Sequence, residues 1–303
     1  MSKLPKIIII LGPTASGKTA LSLKLAKKFN GEIINADSRQ VYKEMNIGTA
    51  KEPCDAKRKG YLVRGITHHL MDIVKPDEEF TLAHFKKIAM EKINDILKRK
   101  KLPIIVGGTG LYIWAIVDNL DIPTVAPDAK LRKKLEKKSL LDLVKMLKKV
   151  DPLSAEKIDL KNPRRVIRAL EVFLQSKGSF IAQQKKFPLL FNALQIGIRI
   201  PREILYRRIN VRVDEQIKDG LIKEVKKLAK KYSWSLPSMS GLGYKQTGYY
   251  LRGEKTLTEA VELIKRDTRR YAKKQMAWFK RDKKIKWVKD LKSAEKLVKK
   301  FIK

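Results

Sequence analysis

The residues best suited to chemistry lie near the N-terminus. Gly12, Pro13, Thr14, Ala15, Ser16, Gly17, Lys18 and Thr19 match the pattern G-x-x-x-x-G-K-[ST] without a mismatch. Glycines in that pattern let backbone N–H groups curl around phosphate oxygens at a helix N-terminus, the lysine neutralises terminal charge, and the Thr19 hydroxyl can hold Mg²⁺. A nucleotide triphosphate or a simple diphosphate satisfies such a loop. Asp37, followed by Ser38, Arg39 and Gln40, adds a carboxylate. It can take a proton from an attacking nucleophile or support Mg²⁺; an Asp-Ser helix cap accounts for the same residues, and the string alone leaves both open. ATP hydrolysis normally calls for an apolar strand that ends in an acid. Here the apolar run 102–106 ends in Gly107-Gly108-Thr109-Gly110, which counts against ordinary ATP turnover.

Groups this far apart converge only if a sheet brings them together. Residues 7–11 are continuously apolar and β-branched, as a strand buried on both faces requires. The glycine turn follows directly, and Leu21, Leu25 and Phe29 then recur at helical spacing until Asn30-Gly31 stops the helix. A second strand is expected over 32–36, ending at Asp37, an amphipathic helix over 82–100, and a third strand over 102–106. Ligands of open α/β sheets sit at the C-terminal ends of strands, so the three turns are expected to meet at one site.

From about residue 121 the texture changes. Pro123 and Pro127 break the chain, and Lys-rich helical segments run to about Pro188 without a convincing strand. A core strand over 193–200, a helix over 202–232, a basic stretch over 265–284 and a last strand over 285–288 follow. The expected architecture is α/β: a P-loop NTPase-like parallel sheet core with an inserted helical lobe, the core formed by 1–120 and 191–303 and the insert by 121–190. Tyr271 and Trp278, seven residues apart in the basic stretch, read as core packing.

The chain has 303 residues, 43% of them hydrophobic, and no apolar run of the roughly 20 residues a membrane span needs. No small-residue cleavage site follows the first apolar run, so a cytoplasmic, soluble protein is expected. Cys54 is the sole cysteine, excluding an internal disulfide and a thiolate zinc site, and the three histidines add little metal capacity. The 69 Lys+Arg against 32 Asp+Glu give a net charge of +37, which attracts polyanions. Lysine drift in a low-GC genome accounts for part of that excess, not for acids this far behind.

The pattern as a whole resembles the tRNA dimethylallyltransferases. The resemblance rests on residues 12–19, Asp-Ser-Arg-Gln-Val-Tyr at 37–42, Gly-Thr-Ala-Lys at 48–51, His-His-Leu-Met-Asp at 68–72 and Gly-Gly-Thr-Gly-Leu-Tyr at 107–112. Asn-Pro-Arg-Arg-Val-Ile-Arg-Ala-Leu-Glu at 162–171, Gly-Leu-Gly-Tyr-Lys-Gln at 241–246 and the stretch 268–279 continue it over nearly the whole chain. It implies that the loop holds the diphosphate of dimethylallyl diphosphate, and that Asp37 is the base for the exocyclic amine of the adenine beside the anticodon. It further implies that Thr109 and Arg212 help hold the diphosphate, with Mg²⁺ as cofactor. The target base must leave its stack, so Ser38, Arg39 and Gln40 are expected around the flipped adenine, and Arg164, Arg165 and Arg168 on tRNA phosphates near the anticodon stem-loop. His68 and His69 read as structural. Eukaryotic relatives often carry a C-terminal zinc finger; this chain lacks the cysteines, so it resembles the bacterial type, expected as a monomer. Competing readings are a P-loop kinase of a small molecule, a prenyltransferase of free adenine nucleotides, and a noncatalytic RNA-binding module.

Overall fold

The structure is a computed structural model that describes residues 4–55, 60–122, 125, 127–183 and 187–303. Pro123 lies outside the described residues. Two compact units are present: Met1–Val117 together with Leu190–Lys303, and Asp118–Leu189.

The first unit is built on β1 (Lys6–Leu11), whose five residues Ile7 to Leu11 are wholly buried. Alternation along the strand splits them: Ile7, Ile9 and Leu11 enter one hydrophobic cluster, Ile8 and Ile10 the other. A strand apolar on both faces must be covered on both, which is why this sheet sits between helix layers. Helix α1 (Lys18–Lys28) returns the chain to β2 (Gly31–Asn35), and α2 (Leu82–Lys98) leads to β5 (Leu102–Gly107) and α3 (Gly110–Val117). Between β2 and α2 lies a hairpin of β3 (Tyr61–Val63) and β4 (Ile66–His69). The sheet order is β3-β4-β2-β5-β1-β6-β7, completed by β6 (Asn192–Ile198) and β7 (Lys286–Val288). All pairings are parallel except β3 with β4. Strand β1 thus lies between β5 and β6, and the loops that follow β1, β2 and β5 open on one edge.

Two expectations are corrected here. The hairpin was not expected: its strands are three and four residues long, too short for alternation to show, and its turn uses left-handed Arg64 (φ 49°) and Gly65 (φ 73°). The single helix expected over 202–232 is two, α8 (Arg202–Lys218) and α9 (Leu221–Ala229). Gly220 adopts φ 99°, a left-handed conformation that ends α8 and starts α9 in a new direction. Helices α10 (Tyr244–Leu251), α11 (Leu257–Phe279) and α12 (Leu291–Ile302) follow in the C-terminal part.

The second unit carries α4 (Ala129–Glu136), α5 (Leu140–Val150), α6 (Pro152–Lys157) and α7 (Pro163–Ser176), and no strand among its described residues. Leu135, Leu143, Leu147, Val166 and Leu170 form its core. Pro127 precedes α4, whose N-cap Asp128 accepts from Lys130 N and Leu131 N.

Candidate active site

After β1 the chain turns through residues 12–17 into α1. Ala15 (φ 60°) and Gly17 (φ 91°) are both left-handed, a conformation that turns successive N–H groups toward one side. Lys18 and Thr19 open α1, so their N–H groups have no carbonyl within the helix. Thr14 to Thr19 line a cavity of about 230 Å³ shared with Asp37, Gln40, His68, Arg212, Tyr271 and Gln275. Gly12 and Pro13 are buried beneath it.

The electrostatics of this cavity are unbalanced. Burial lowers the Lys18 ammonium to about 8; the carboxylate of Asp37 opposes the shift and the charge of Arg212 adds to it. Lys18 Nζ donates to Pro13 O at 2.7 Å, a neutral partner. Burial also pushes Arg212 down, against weaker pulls from Glu52 and Glu215. Among the described residues no carboxylate lies within ion-pair distance of either cation. Ser16 Oγ, in the same loop, is buried with no hydrogen-bond partner there. Two cations and an orphaned hydroxyl around an N–H-lined turn are the donor set for an anion bearing several oxygens. The described residues hold no cluster of three metal-ligating side chains. The Thr19 hydroxyl, on the same wall, is the side chain that would hold a Mg²⁺ ion carried in with such an anion.

Asp37 sits on the loop after β2. Its backbone N–H donates to Asn35 Oδ1 at 3.1 Å, while its own Oδ1 accepts from Arg39 N at 2.8 Å. One carboxylate oxygen is therefore engaged in fixing the loop. No helix follows: residues 38–41 form a turn, so Asp37 fixes that turn instead of capping a helix, and its side chain lines the cavity. Gln40 is anchored by Nε2, which donates to Thr49 O at 3.0 Å and Ala50 O at 3.3 Å, leaving its Oε1 as the polar end for a ligand. That 46–50 loop is itself held by Glu224 of α9, which accepts from Asn46 N, Ile47 N and Gly48 N at 2.8–3.2 Å and from Tyr244 OH at 2.6 Å. Lys51 is buried in an ion pair with Asp72.

Several expected site residues are placed differently. Thr109 has a structural part as well: its Oγ1 accepts from Ser38 N at 3.1 Å, so it ties the β5 turn to the Asp37 loop, two residues from Gly107 on the cavity wall. Arg39 turns away and donates to Pro237 O and Ser238 O. Of the two histidines, His69 is hydrogen-bonded through Nε2 to Glu32 at 2.7 Å, whereas His68 lines the cavity, with burial lowering its pKa. Tyr271 is not core; it is 37% exposed and lines the cavity, while Trp278 packs on Trp114 with ring centroids 4.7 Å apart. Gln275, not expected from sequence, is buried at the back of the site.

Arg164, Arg165 and Arg168 all lie on α7 of the second unit. Arg164 and Arg165 are exposed. Arg168 is not free for RNA: Nη1 donates to Glu171 at 2.6 Å and Nη2 to Val125 O at 2.8 Å. Glu171 is fully buried and also accepts from Arg132, so Arg168 neutralises an internal carboxylate.

A profile of the IPP transferase family matches residues 40–282, and one of the isopentenyl transferases matches residues 5–67. The chain is similar to a tRNA dimethylallyltransferase of Acetivibrio thermocellus, 48% identical over 97% of this chain and 95% of that protein. Among solved structures it is similar to the full-length tRNA isopentenylpyrophosphate transferase of Bacillus halodurans, at 39% identity and a TM-score of 0.72, covering 98% of this chain and 95% of that one. A eukaryotic dimethylallyltransferase acting on tRNA matches with a TM-score of 0.78 at 32% identity, over 95% of this chain and 75% of that one.

Proposed function

The chain belongs to the tRNA dimethylallyltransferase family, and we propose that its cavity transfers the dimethylallyl group of dimethylallyl diphosphate to N6 of the adenosine 3′-adjacent to the tRNA anticodon, releasing diphosphate. The observation that carries the assignment of roles is the pairing, in one cavity, of two cations lacking a carboxylate partner with a carboxylate that lacks a cation partner. In the transfer, a C–N bond forms between N6 and the allylic carbon as the C–O bond to diphosphate breaks. Negative charge grows on the leaving oxygen, where Lys18, Arg212 and the loop N–H groups oppose it. Mg²⁺, when bound, neutralises the diphosphate further, with Thr19 as its protein ligand. The N6 proton goes to Asp37, whose second oxygen is not engaged by the loop. Gln40 offers Oε1 to the amine, and Ser38, tied to Thr109, holds the Asp37 loop in register with the phosphate loop.

RNA contact by the second unit belongs to the same proposal. Exposed Arg164 and Arg165 suit the phosphates of the anticodon stem-loop, and the net charge of +37 suits tRNA far better than a small acceptor. Incubating the protein with labelled dimethylallyl diphosphate and bulk tRNA, in parallel with free adenine nucleotides and with ATP alone, tests the reading. Label on tRNA and no ATP consumption is the expected result; label on free nucleotides alone, or ATP turnover with a small acceptor, would overturn it.

A further inference from the structure

The phosphate loop and the turn after β5 do not bond to each other through their own side chains. They are joined through the side-chain amide of Gln275 on α11. Its Oε1 accepts from Thr14 N, within the phosphate loop, at 2.9 Å, and its Nε2 donates to Gly108 O at 2.9 Å. The side chain is 6% exposed, and its residue lies 261 positions from Thr14 and 167 from Gly108. Thr14 N–H is thereby withdrawn from the set of loop donors open to an anion. Gly108 has no room for a side chain because of the same contact: a Cβ there would meet Gln275 Nε2 at 2.2 Å.

The two segments so joined carry different halves of the chemistry. The phosphate loop holds Lys18 and Thr19; the β5 turn continues into Thr109, whose Oγ1 accepts from Ser38 N beside Asp37. We propose that Gln275 is a positioning residue that sets the distance between the diphosphate cradle and the Asp37 loop, by bridging Thr14 and Gly108. Both of these amide contacts are to backbone, and through them it acts on the two segments it joins. An amide is the group required, because the bridge needs one acceptor and one donor 2.9 Å from their respective partners. The inference rests on the assignment of the cavity as the prenyl-transfer site.

Two variants break the bridge from opposite sides. Gln275→Met keeps length and volume but loses both hydrogen bonds; Gly108→Ala leaves Gln275 in place and drives its amide off with the new Cβ. Misplacing the cradle against the base affects donor binding and the chemical step together, so each variant is expected to raise KM for dimethylallyl diphosphate about 10-fold and to lower kcat about 10-fold. KM for tRNA should stay within about 2-fold in both. The double variant should be no worse than the poorer single one, because both changes remove the same bridge. A role confined to fold stability predicts instead a lower active fraction with unchanged KM, and multiplicative losses in the double variant; either result overturns the proposal. Should Gln275→Met fail to fold, Gly108→Ala carries the same donor-KM test. Wild-type protein that moves no label from dimethylallyl diphosphate to tRNA refutes the transfer reading itself, whereas active wild-type protein with variants of unchanged donor KM refutes only the bridge.

Discussion

The two edges of the sheet treat charge in opposite ways. At the N-terminal edge, Glu32 of β2 is 4% exposed and fully answered: Arg99 donates to both of its oxygens, at 2.5 and 2.8 Å, Lys101 donates at 2.8 Å, and His69 Nε2 lies at 2.7 Å. Hydrogen bonds from Arg99, outweighing burial and aided by Lys101 and His69, hold this carboxyl far below the usual carboxylate range. At the C-terminal edge, Lys18 and Arg212 are pushed down by burial and no described carboxylate pairs with them. A buried charge with its partners in place stabilises the fold; a buried charge without one awaits a ligand. The second unit repeats the first case, with Glu171 answered by Arg132 and Arg168.

The largest effect is expected at Asp37. Asp37→Asn keeps the size and much of the hydrogen bonding of the loop but removes the base, so kcat should fall by about 10²- to 10⁴-fold while tRNA binding persists. Single-turnover transfer with saturating donor reads this directly, and near-wild-type kcat would remove Asp37 from the mechanism.

Glu32→Gln addresses the other edge. It removes the charge that Arg99, Lys101 and His69 surround, and should cost about 2 kcal/mol of stability at pH 7, since Arg99 and Lys101 can partly return to water. Because the folded pKa is depressed, the stabilisation is present above the unfolded value of about 4.3 and lost as pH falls toward the folded one. The urea midpoints of wild type and variant should therefore converge as pH drops below about 4. A constant gap would mean that packing, not charge, is what Glu32 supplies.

A smaller effect is expected on α7, where exposed and paired arginines stand side by side. Reversing Arg164 and Arg165 to Glu should weaken tRNA binding and flatten its salt dependence by roughly 0.7 to 0.9 in log-log slope per lost phosphate contact, without touching donor affinity. Equal slopes for variant and wild type would transfer the RNA contact to the basic face of α11, around Arg270 and Lys273.

What the sequence made legible were the contiguous features. The phosphate loop, Asp37 and β5 could be read because each is a short string between an apolar run and a helix signal. Boundaries held to within a residue or two at β1, β2 and α2, where burial on both faces or a regular apolar face set the pattern. The features missed depend on distant partners. Tyr271 and Gln275 share a helical stretch with Trp278, and nothing local distinguishes a side chain facing a cavity from one facing the core. Arg168 looked like its neighbours Arg164 and Arg165 until Glu171, three residues on, proved fully buried. The second part played by Thr109, whose Oγ1 accepts from a backbone N–H 71 positions away, was equally invisible in the string.

The contrast between the two edges is tested most directly by calorimetric titration of inorganic diphosphate with Mg²⁺ into wild type, Lys18→Ala and Glu32→Gln at two pH values, about 7 and about 9.5. Charge-assisted hydrogen bonds of the kind Lys18 supplies are worth about 1.5 to 3 kcal/mol, so Lys18→Ala should bind at least 10-fold more weakly at the lower pH, while Glu32→Gln binds like wild type. Since the free Lys18 ammonium titrates at about 8, wild-type affinity should fall at the higher pH as binding must first reprotonate it, and Lys18→Ala should show no such fall. Lys18→Ala binding as tightly as wild type, or Glu32→Gln losing affinity to the same extent, would contradict the account.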